Sequence, residues 1–522
     1  MVNQGKSQTV QKGGSNAERA MEALKRLTPK LLIDGKFVDA KDGMTFEDLD
    51  PRTGISSDDS GEKLVDVAEA QAEDVERAVQ AARKAFDEGP WPRMTGEQRG
   101  RVLLRLADLV EEHADELALL ETLDNGKTYS QCMSIDVPGT AQHIRYFAGW
   151  CDKIEGSTIP VATEGFTAYT LREPIGVAGQ IIPWNFPILM AGWKIAPALA
   201  AGCTIVLKVS QYTPLSALRL GELALEAGVP PGVFNVLTGK GAECGDAITT
   251  HPGVDKVAFT GSTNIGKKIM EGAASRIKPV SLELGGNSPV VICDDCDLDA
   301  AVKGAHEALF FNMGQACECG ARLFVQEGIY DEFVARSLEL AKARKVGDPF
   351  DEDTAQGPLV SQKQLDKVMD YVESGRKEGA KLGCGGQRVG EAGFYMEPTV
   401  FYDVKDDMAI ARDEIFGPVQ IILKFKTIDE VIARANDTNY GLAAAVWTQG
   451  LDRMQALTRG IKAGTVWVNT HHILDAAVPF GGYKESGIGR EHGSAALEHY
   501  TQTKSVYVPL PASKTQRSWV TM

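Results

Sequence analysis

The chain has 522 residues, 43% of them apolar and 24% charged, a globular composition too long for one simple core, so two or three domains are expected. Its net charge of −16, from 71 acidic against 55 basic side chains with no long basic block, excludes nucleic acid and anionic membrane surfaces as partners. The longest nearly apolar run, ILMAGWKIAPALAAG (188–202), is too short to span a bilayer and carries Lys194, so no membrane segment is expected.

Residues 1–17 (MVNQGKSQTVQKGGSNA) are polar, free of acids and without an apolar period, and read as a disordered tail, drawn to residue 30. Nine cysteines, an odd number and mostly scattered, fit a reducing cytoplasm; the Lys, Ser and Gln of the tail leave the mitochondrial matrix as the alternative. Next, EDVERAVQAARKAF (73–86) sets Val75, Val79, Ala82 and Phe86 on one helical face, and the segment from Thr95 opens with a Thr95 to Gln98 capping pattern. From 175 onward, short β-branched runs alternate with helical ones: IGVAGQII (175–182), CTIVLKV (203–209), VFNVLTG (233–239), KVAFTG (256–261) and PVSLELGG (279–286). That rhythm predicts parallel strands with right-handed crossovers in a doubly wound α/β sheet, with ligands at the carboxyl ends of the strands. A second alternation follows 286, through SPVVIC (288–293), the helical DAAVKGAHEALFF (299–311), ARLFVQ (321–326) and AGTVWVN (463–469), and predicts a second α/β domain.

Three local patterns carry chemical questions. FFNMGQACECGAR (310–322) places Cys317 and Cys319 just beyond an apolar helix end; cysteine often only fills space, but one at such a junction can be exposed and activated. GSTNIGKK (261–268) follows a strand and opens a helix, a place that favours anionic groups. It lacks the Ser or Thr that completes a P-loop, since Lys268 stands there, and it lacks the Gly-x-Gly-x-x-Gly fingerprint, so a plain glycine turn stays open. CDDC (293–296) and the pair His471 and His472 have no second ligand pair at a metal-binding spacing, and no metal is expected.

Taken in order, PWNFP (183–187), FTGSTNIG (259–266), LELGGNSP (282–289), GQAC (314–317), EIFGPV (414–419) and PFGGYKESGIGRE (479–491) resemble the NAD(P)-dependent aldehyde dehydrogenase superfamily, from about 30 to 510. The resemblance implies a Rossmann-like dinucleotide-binding domain (31–154 and 175–285), a catalytic domain (286–484) and a small β bridging domain (155–174 and 485–515) that forms homodimers or homotetramers. It implies oxidation of an aldehyde to the acid with NAD, with NADP as the alternative cofactor, through a thiohemiacetal and a thioester on Cys317. Cys319 falls where the family often has a small residue and is assigned to packing. Asn185 would donate to the oxyanion beside the Cys317 N–H, and Glu283 would be the general base that activates the hydrolytic water. Lys194 and Glu491 match a proton-relay pair, for which a structural ion pair is the competing reading.

For the cofactor, Lys208 and Glu414 match ribose-holding residues, and Ile182, Trp184, Gly261, Ser262, Gly266 and Phe416 match its path. Gln211 stands where NAD-preferring members usually carry Glu, which leaves NAD against NADP open, because an amide neither accepts two ribose hydrogen bonds nor repels a 2′-phosphate as a carboxylate does. Phe186, Met190, Trp193, Phe311, Leu474 and Phe480 match the substrate tunnel and imply an aliphatic or aryl aldehyde. Glu318 is the odd residue. A charge beside the thiolate slows it unless the charge is neutralised or turned away, so Glu318 either bonds inward to a structural partner or faces the tunnel mouth, with His472 assisting, and selects polar aldehydes. The competing functions are a cysteine hydrolase or acyltransferase without redox chemistry and a non-catalytic relative.

Overall fold

The computed structural model describes residues 15–55 and 60–510. Its largest sheet has eight strands in the order Gly487–Ile488, Val280–Glu283, Lys256–Thr260, Val177–Ile181, Thr204–Lys208, Phe234–Leu237, Leu31–Ile33, Lys36–Val38. The five central strands are mutually parallel, and the outer strands pair antiparallel. Val177–Ile181, Thr204–Lys208 and Lys256–Thr260 are buried at every position, as strands covered by helices on both faces must be. Val177–Ile181 lies between the strand that follows it and the strand Lys256–Thr260, so the winding reverses at this point. The two loops that leave this switch point are PWNFP and Gly261–Ser262, and a crevice opens between such loops.

The helix after PWNFP, Pro187–Ala201, begins with Pro at its first position and ends at Gly202 with φ 93°; all its residues are buried, Lys194 included. The Thr95–Gln98 capping box is formed, Thr95 Oγ1 accepting from the Gln98 N–H at 3.2 Å and Gln98 Oε1 from the Thr95 N–H at 2.9 Å. Val75, Val79 and Ala82 are fully covered, while Phe86 is half-buried beneath the Arg83 guanidinium.

The second sheet has seven strands in the order Lys381–Cys384, Thr399–Tyr402, Val419–Phe425, Arg322–Gln326, Pro289–Ile292, Ala443–Trp447, Thr465–Val468, parallel except at the first pair. The first sheet's strand Val280–Glu283 ends a few residues before this sheet's strand Pro289–Ile292 begins, so the carboxyl edge of one sheet adjoins the amino edge of the other. A three-stranded sheet pairs Thr501–Pro509 with Phe166–Pro174 over nine residue pairs, with Thr158–Ile159 beyond.

Two expectations are corrected. The tail drawn to residue 30 is ordered from 15: Asn16–Arg26 is a helix with a Ser15–Glu18 capping box, and Ala20, Ala23 and Leu24 are buried. The apolar stripe is carried mainly by alanines among five charged residues, which hides it from a reading by hydrophobicity. Of the segment from 485 that was expected to bridge subunits, Gly487–Ile488 instead pairs with Leu282 and Glu283 at the edge of the large sheet. Residues 1–14 of the tail and 511–515 of the bridging segment lie outside the described residues.

Candidate active site

The GQAC loop follows the helix Leu298–Phe310 and enters the strand Arg322–Gln326, so it sits at the seam between the two large sheets. Asn312 and Met313 have φ of 46° and 56°, a left-handed pair without glycine that costs on the order of 1–3 kcal/mol per residue and must be held by its surroundings. The Asn312 side chain donates to the carbonyls of Asn185 (2.9 Å) and Gln315 (3.1 Å). The Asn185 amide donates to the same Gln315 carbonyl at 2.9 Å, and Gln315 Oε1 accepts the Val360 N–H at 3.2 Å. PWNFP and GQAC are thereby tied into one unit, with Asn185 5% exposed.

The segment 479–491 clamps Glu283 from the other side. Leu284 N–H donates to the Ser486 carbonyl (2.9 Å), and Ser486 Oγ donates to the Gly285 carbonyl (2.7 Å). The two glycines after Leu284 permit close approaches: a Cβ on Gly285 would fall 2.5 Å from Glu414 Oε2, and one on Gly286 would fall 2.3 Å from the Cys317 carbonyl oxygen. The Glu414 carboxylate accepts the Gly286 N–H at 3.0 Å, and burial raises its pKa to about 7 against that bond and the Lys367 charge.

One cavity of about 420 Å³ joins these parts. Phe186, Met190, Trp193, Phe311, Leu474 and Phe480 line it, with Asn185, Cys317 and Glu318 also on its wall, and Trp184, Gly261, Ser262, Glu414 and Phe416 among the rest of the lining. Phe186 stacks on Phe311 with ring centroids 5.9 Å apart, and Trp193 meets Phe480 edge-on at 5.7 Å. Ile182, Lys208, Gln211, Gly266, Glu283, Lys194 and Glu491 are not on this wall. Lys194 and Glu491 form a buried ion pair. Cys319 is buried, its thiol directed at the Leu309 carbonyl at 3.4 Å.

The electrostatics separate the groups. Burial first, then the charges of Glu318 and Glu414, push the Cys317 thiol well above its ordinary range. Glu283 is raised by burial and by Glu491, against Lys194 and Arg490, and its Oε2 has no hydrogen-bond partner among the described residues. Burial also opposes the charge on Glu318, but the hydrogen bond and charge of His472, together with a backbone hydrogen bond at Glu318 and His471, hold this carboxyl below its usual value. Glu318 is neither free nor turned from the site: its Oε2 accepts from the Cys317 thiol at 3.4 Å and its Oε1 faces His472 Nδ1 at 3.1 Å.

Lys208 is 5% exposed, its ammonium makes no hydrogen bond or ion pair among the described residues, and burial lowers its pKa. A desolvated cation without a partner at the end of a central strand fits a site that hydrogen-bonds a polar ligand. The helix Thr263–Ala274 starts at Ser262 without a side-chain cap, which leaves first-turn N–H groups for an anion at the same end of the sheet.

Sequence reasoning passed over Lys127, Gln364 and Lys367. Lys127 is fully buried against Asp136 (3.1 Å) and Glu121 (3.7 Å), with its ammonium 4.1 Å from the centre of the Phe186 ring. Gln364 and Lys367 line the cavity and donate to the carbonyls of Phe416 (2.7 Å) and Glu414 (3.1 Å). Lys127 leaves no recognisable pattern, because its partners Glu121 and Asp136 stand outside the i,i+3 and i,i+4 spacings that mark helical ion pairs. Glu121, Cys132 and Asp136 are grouped closely enough to hold a metal ion, but the Lys127 ammonium already serves the two carboxylates.

Residues 38–506 match the model of the aldehyde dehydrogenase family. The chain is 57% identical over 482 residues to aldehyde dehydrogenase family 2 member B4, mitochondrial, of Arabidopsis thaliana, which covers 92% of this chain and 88% of that protein. It is 56% identical to the mitochondrial benzaldehyde dehydrogenase of Antirrhinum majus, over 92% of this chain and 89% of the relative. The structure of the NAD+ complex of an aldehyde dehydrogenase from Bacillus cereus superposes with a TM-score of 0.91 at 49% identity, over 94% of this chain and 99% of that one.

Proposed function

Since the chain belongs to the aldehyde dehydrogenase family and oxidises an aldehyde to the carboxylic acid with NAD, we propose that Cys317, Asn185 and Glu283 carry the reaction. The observation that supports this most is that one cavity is lined together by the apolar tunnel residues, by Cys317 and by the turn Gly261–Ser262. Cys317 adds to the aldehyde carbon; the S–C bond forms, the carbonyl π bond opens, and the Asn185 amide with the Cys317 N–H stabilises the oxygen. NAD, when bound, supplies the hydride acceptor that converts the adduct to the acyl level, held through Lys208, Glu414 and the Ser262 helix start. Ile182, Trp184, Gly266 and Phe416 shape its path, and the neutral Gln211 borders it. Glu283 then takes a proton from the water that cleaves the thioester, and the Lys194–Glu491 pair passes that proton on. The tunnel accepts the apolar body of an aliphatic or aryl aldehyde. Absorbance of NADH on adding aldehyde tests the assignment: none from any aldehyde, with hydrolysis of an activated ester retained, favours a cysteine hydrolase instead.

Gln211 carries a prediction on cofactor use. Gln211→Glu is expected to raise the NAD-over-NADP ratio of kcat/KM by on the order of tenfold, about 1.4 kcal/mol, because a carboxylate repels a 2′-phosphate that an amide tolerates. Parallel assays with both cofactors check it, and an unchanged ratio moves the discrimination away from residue 211.

The sheet edge Thr501–Pro509 supports homodimers or homotetramers, since Tyr507, Val508 and the following Leu510 are exposed at 66%, 39% and 52%. No helix among the described residues is long and apolar enough to cross a membrane. All nine cysteines are free, which supports a reducing compartment; we place the protein in the cytoplasm, with the mitochondrial matrix as the alternative that two relatives' names favour.

A further inference from the structure

Glu318 is a carboxylate on the cavity wall next to the Cys317 thiol, and its two oxygens are in different situations. Oε1 is taken by His472, whose ring is fixed at both ends: Nδ1 lies 3.1 Å from Oε1, and Nε2 lies 3.1 Å from the Glu307 carbonyl. The His472 ring also packs on Phe311 at 4.6 Å, and the Glu318 carbonyl accepts from His471 Nε2 at 3.0 Å. Backbone and side chain of Glu318 are therefore held, with the residue 5% exposed. Its other oxygen, Oε2, has one protein donor, the Cys317 thiol, at 3.4 Å.

That donor is consumed by the reaction. When the sulfur, its proton released to solvent, adds to an aldehyde, the S–C bond forms and the C=O π bond opens to an oxygen anion held by the Asn185 amide and the Cys317 N–H, so neither the sulfur nor that oxygen keeps a hydrogen for Oε2. Phe186, Met190, Phe311 and Leu474, which line the same cavity, offer the carboxylate no side-chain donor. A carboxylate oxygen left without a donor in an apolar tunnel is unfavourable, and a substrate that brings a donor to this place removes the penalty. The place is defined by the bond just made: a hydroxyl on the carbon next to the carbonyl is three bonds from Sγ, within hydrogen-bond reach of an oxygen beside that sulfur.

We propose that Glu318, oriented by His472, is a specificity-determining residue that recognises the hydroxyl of 2-hydroxyaldehydes in the covalent adduct on Cys317. This rests on the assignment of Cys317 as the nucleophile. Because the hydroxyl replaces a donor lost only on adduct formation, the preference belongs to the transition state more than to initial binding, and it disfavours alkyl aldehydes of equal size.

The test compares glycolaldehyde with propanal, in which a methyl group replaces the hydroxyl, on the full-length wild type, Glu318→Leu and Glu318→Gln. Glu318→Leu is expected to move the glycolaldehyde-over-propanal ratio of kcat/KM toward propanal by on the order of tenfold, about 1.4 kcal/mol, mainly in kcat. Glu318→Gln keeps the shape and a weaker acceptor and is expected to move the ratio the same way by several-fold; it carries the test if the leucine variant does not fold. A ratio unchanged within twofold overturns the proposal. Equal changes for both aldehydes, with a shifted pH profile for alkylation of Cys317, also overturn it and make Glu318 a modulator of the thiol. Failure of the underlying assignment looks different, since neither aldehyde would then reduce NAD in the wild type.

Discussion

Cys317→Ala is expected to lower NAD-dependent aldehyde oxidation by on the order of ten-thousand-fold or more, and to remove ester hydrolysis with it, while Cys319→Ala keeps turnover within a few-fold. The two sulfurs are one residue apart, but the loop turns them into different surroundings. Cys317 lies on the cavity wall, with the Asn185 amide tied to the loop beside it, whereas Cys319 faces the Leu309 carbonyl in the core. Loss of the Cys319 sulfur leaves a small void, at a cost of ~1 kcal/mol in stability. Steady-state rates and a thermal melt of both variants check this, and a dead Cys319 variant beside an active Cys317 variant would reverse the assignment. The raised Cys317 thiol adds a pH dependence: its alkylation rate should still climb at pH values where an ordinary thiol has levelled off, because burial and the Glu318 and Glu414 charges favour the protonated form.

The alternation of strand and helix was legible because strands buried on both faces are mostly apolar, and Val177–Ile181, Thr204–Lys208 and Lys256–Thr260 are buried at every position, with polar residues such as Gln180, Lys208 and Lys256 among them. The motif residues that line the cavity were legible through family resemblance, and the structure gives physical reasons for some of them. Gly285 and Gly286 are required by the closeness of Glu414 and Cys317, and Gln315 by the Val360 N–H that it caps. The helix Asn16–Arg26 was missed because its buried face is built largely from alanine. Lys127 was missed for a different reason: its two carboxylate partners look like solvent-facing helix charges until the helices pack and close around the ammonium. His472, suggested in the sequence as an assistant to Glu318, lies 154 positions away, and the fold brings its Nδ1 to 3.1 Å from Glu318 Oε1.

Glu283→Gln is expected to separate the two halves of the reaction. The variant should still release about one equivalent of NADH per site in a burst, because formation of the thioester does not require the base, and then turn over more slowly by on the order of a hundred- to a thousand-fold. The amide keeps the shape of the carboxyl group between the GQAC loop and the 479–491 clamp, so the loss comes from its inability to take a proton. The wild-type pH profile follows from the same surroundings. Burial, then the Glu491 charge, raise the Glu283 pKa against the opposing Lys194 and Arg490. The base is therefore protonated and idle at low pH, and hydrolysis of the thioester should increase as pH rises through that elevated value. In Glu283→Gln this limb should vanish while the burst persists. Rapid-mixing absorbance for the burst and steady-state rates across pH provide the measurements; a variant with normal turnover, or one that loses the burst together with turnover, would remove Glu283 from the hydrolytic step.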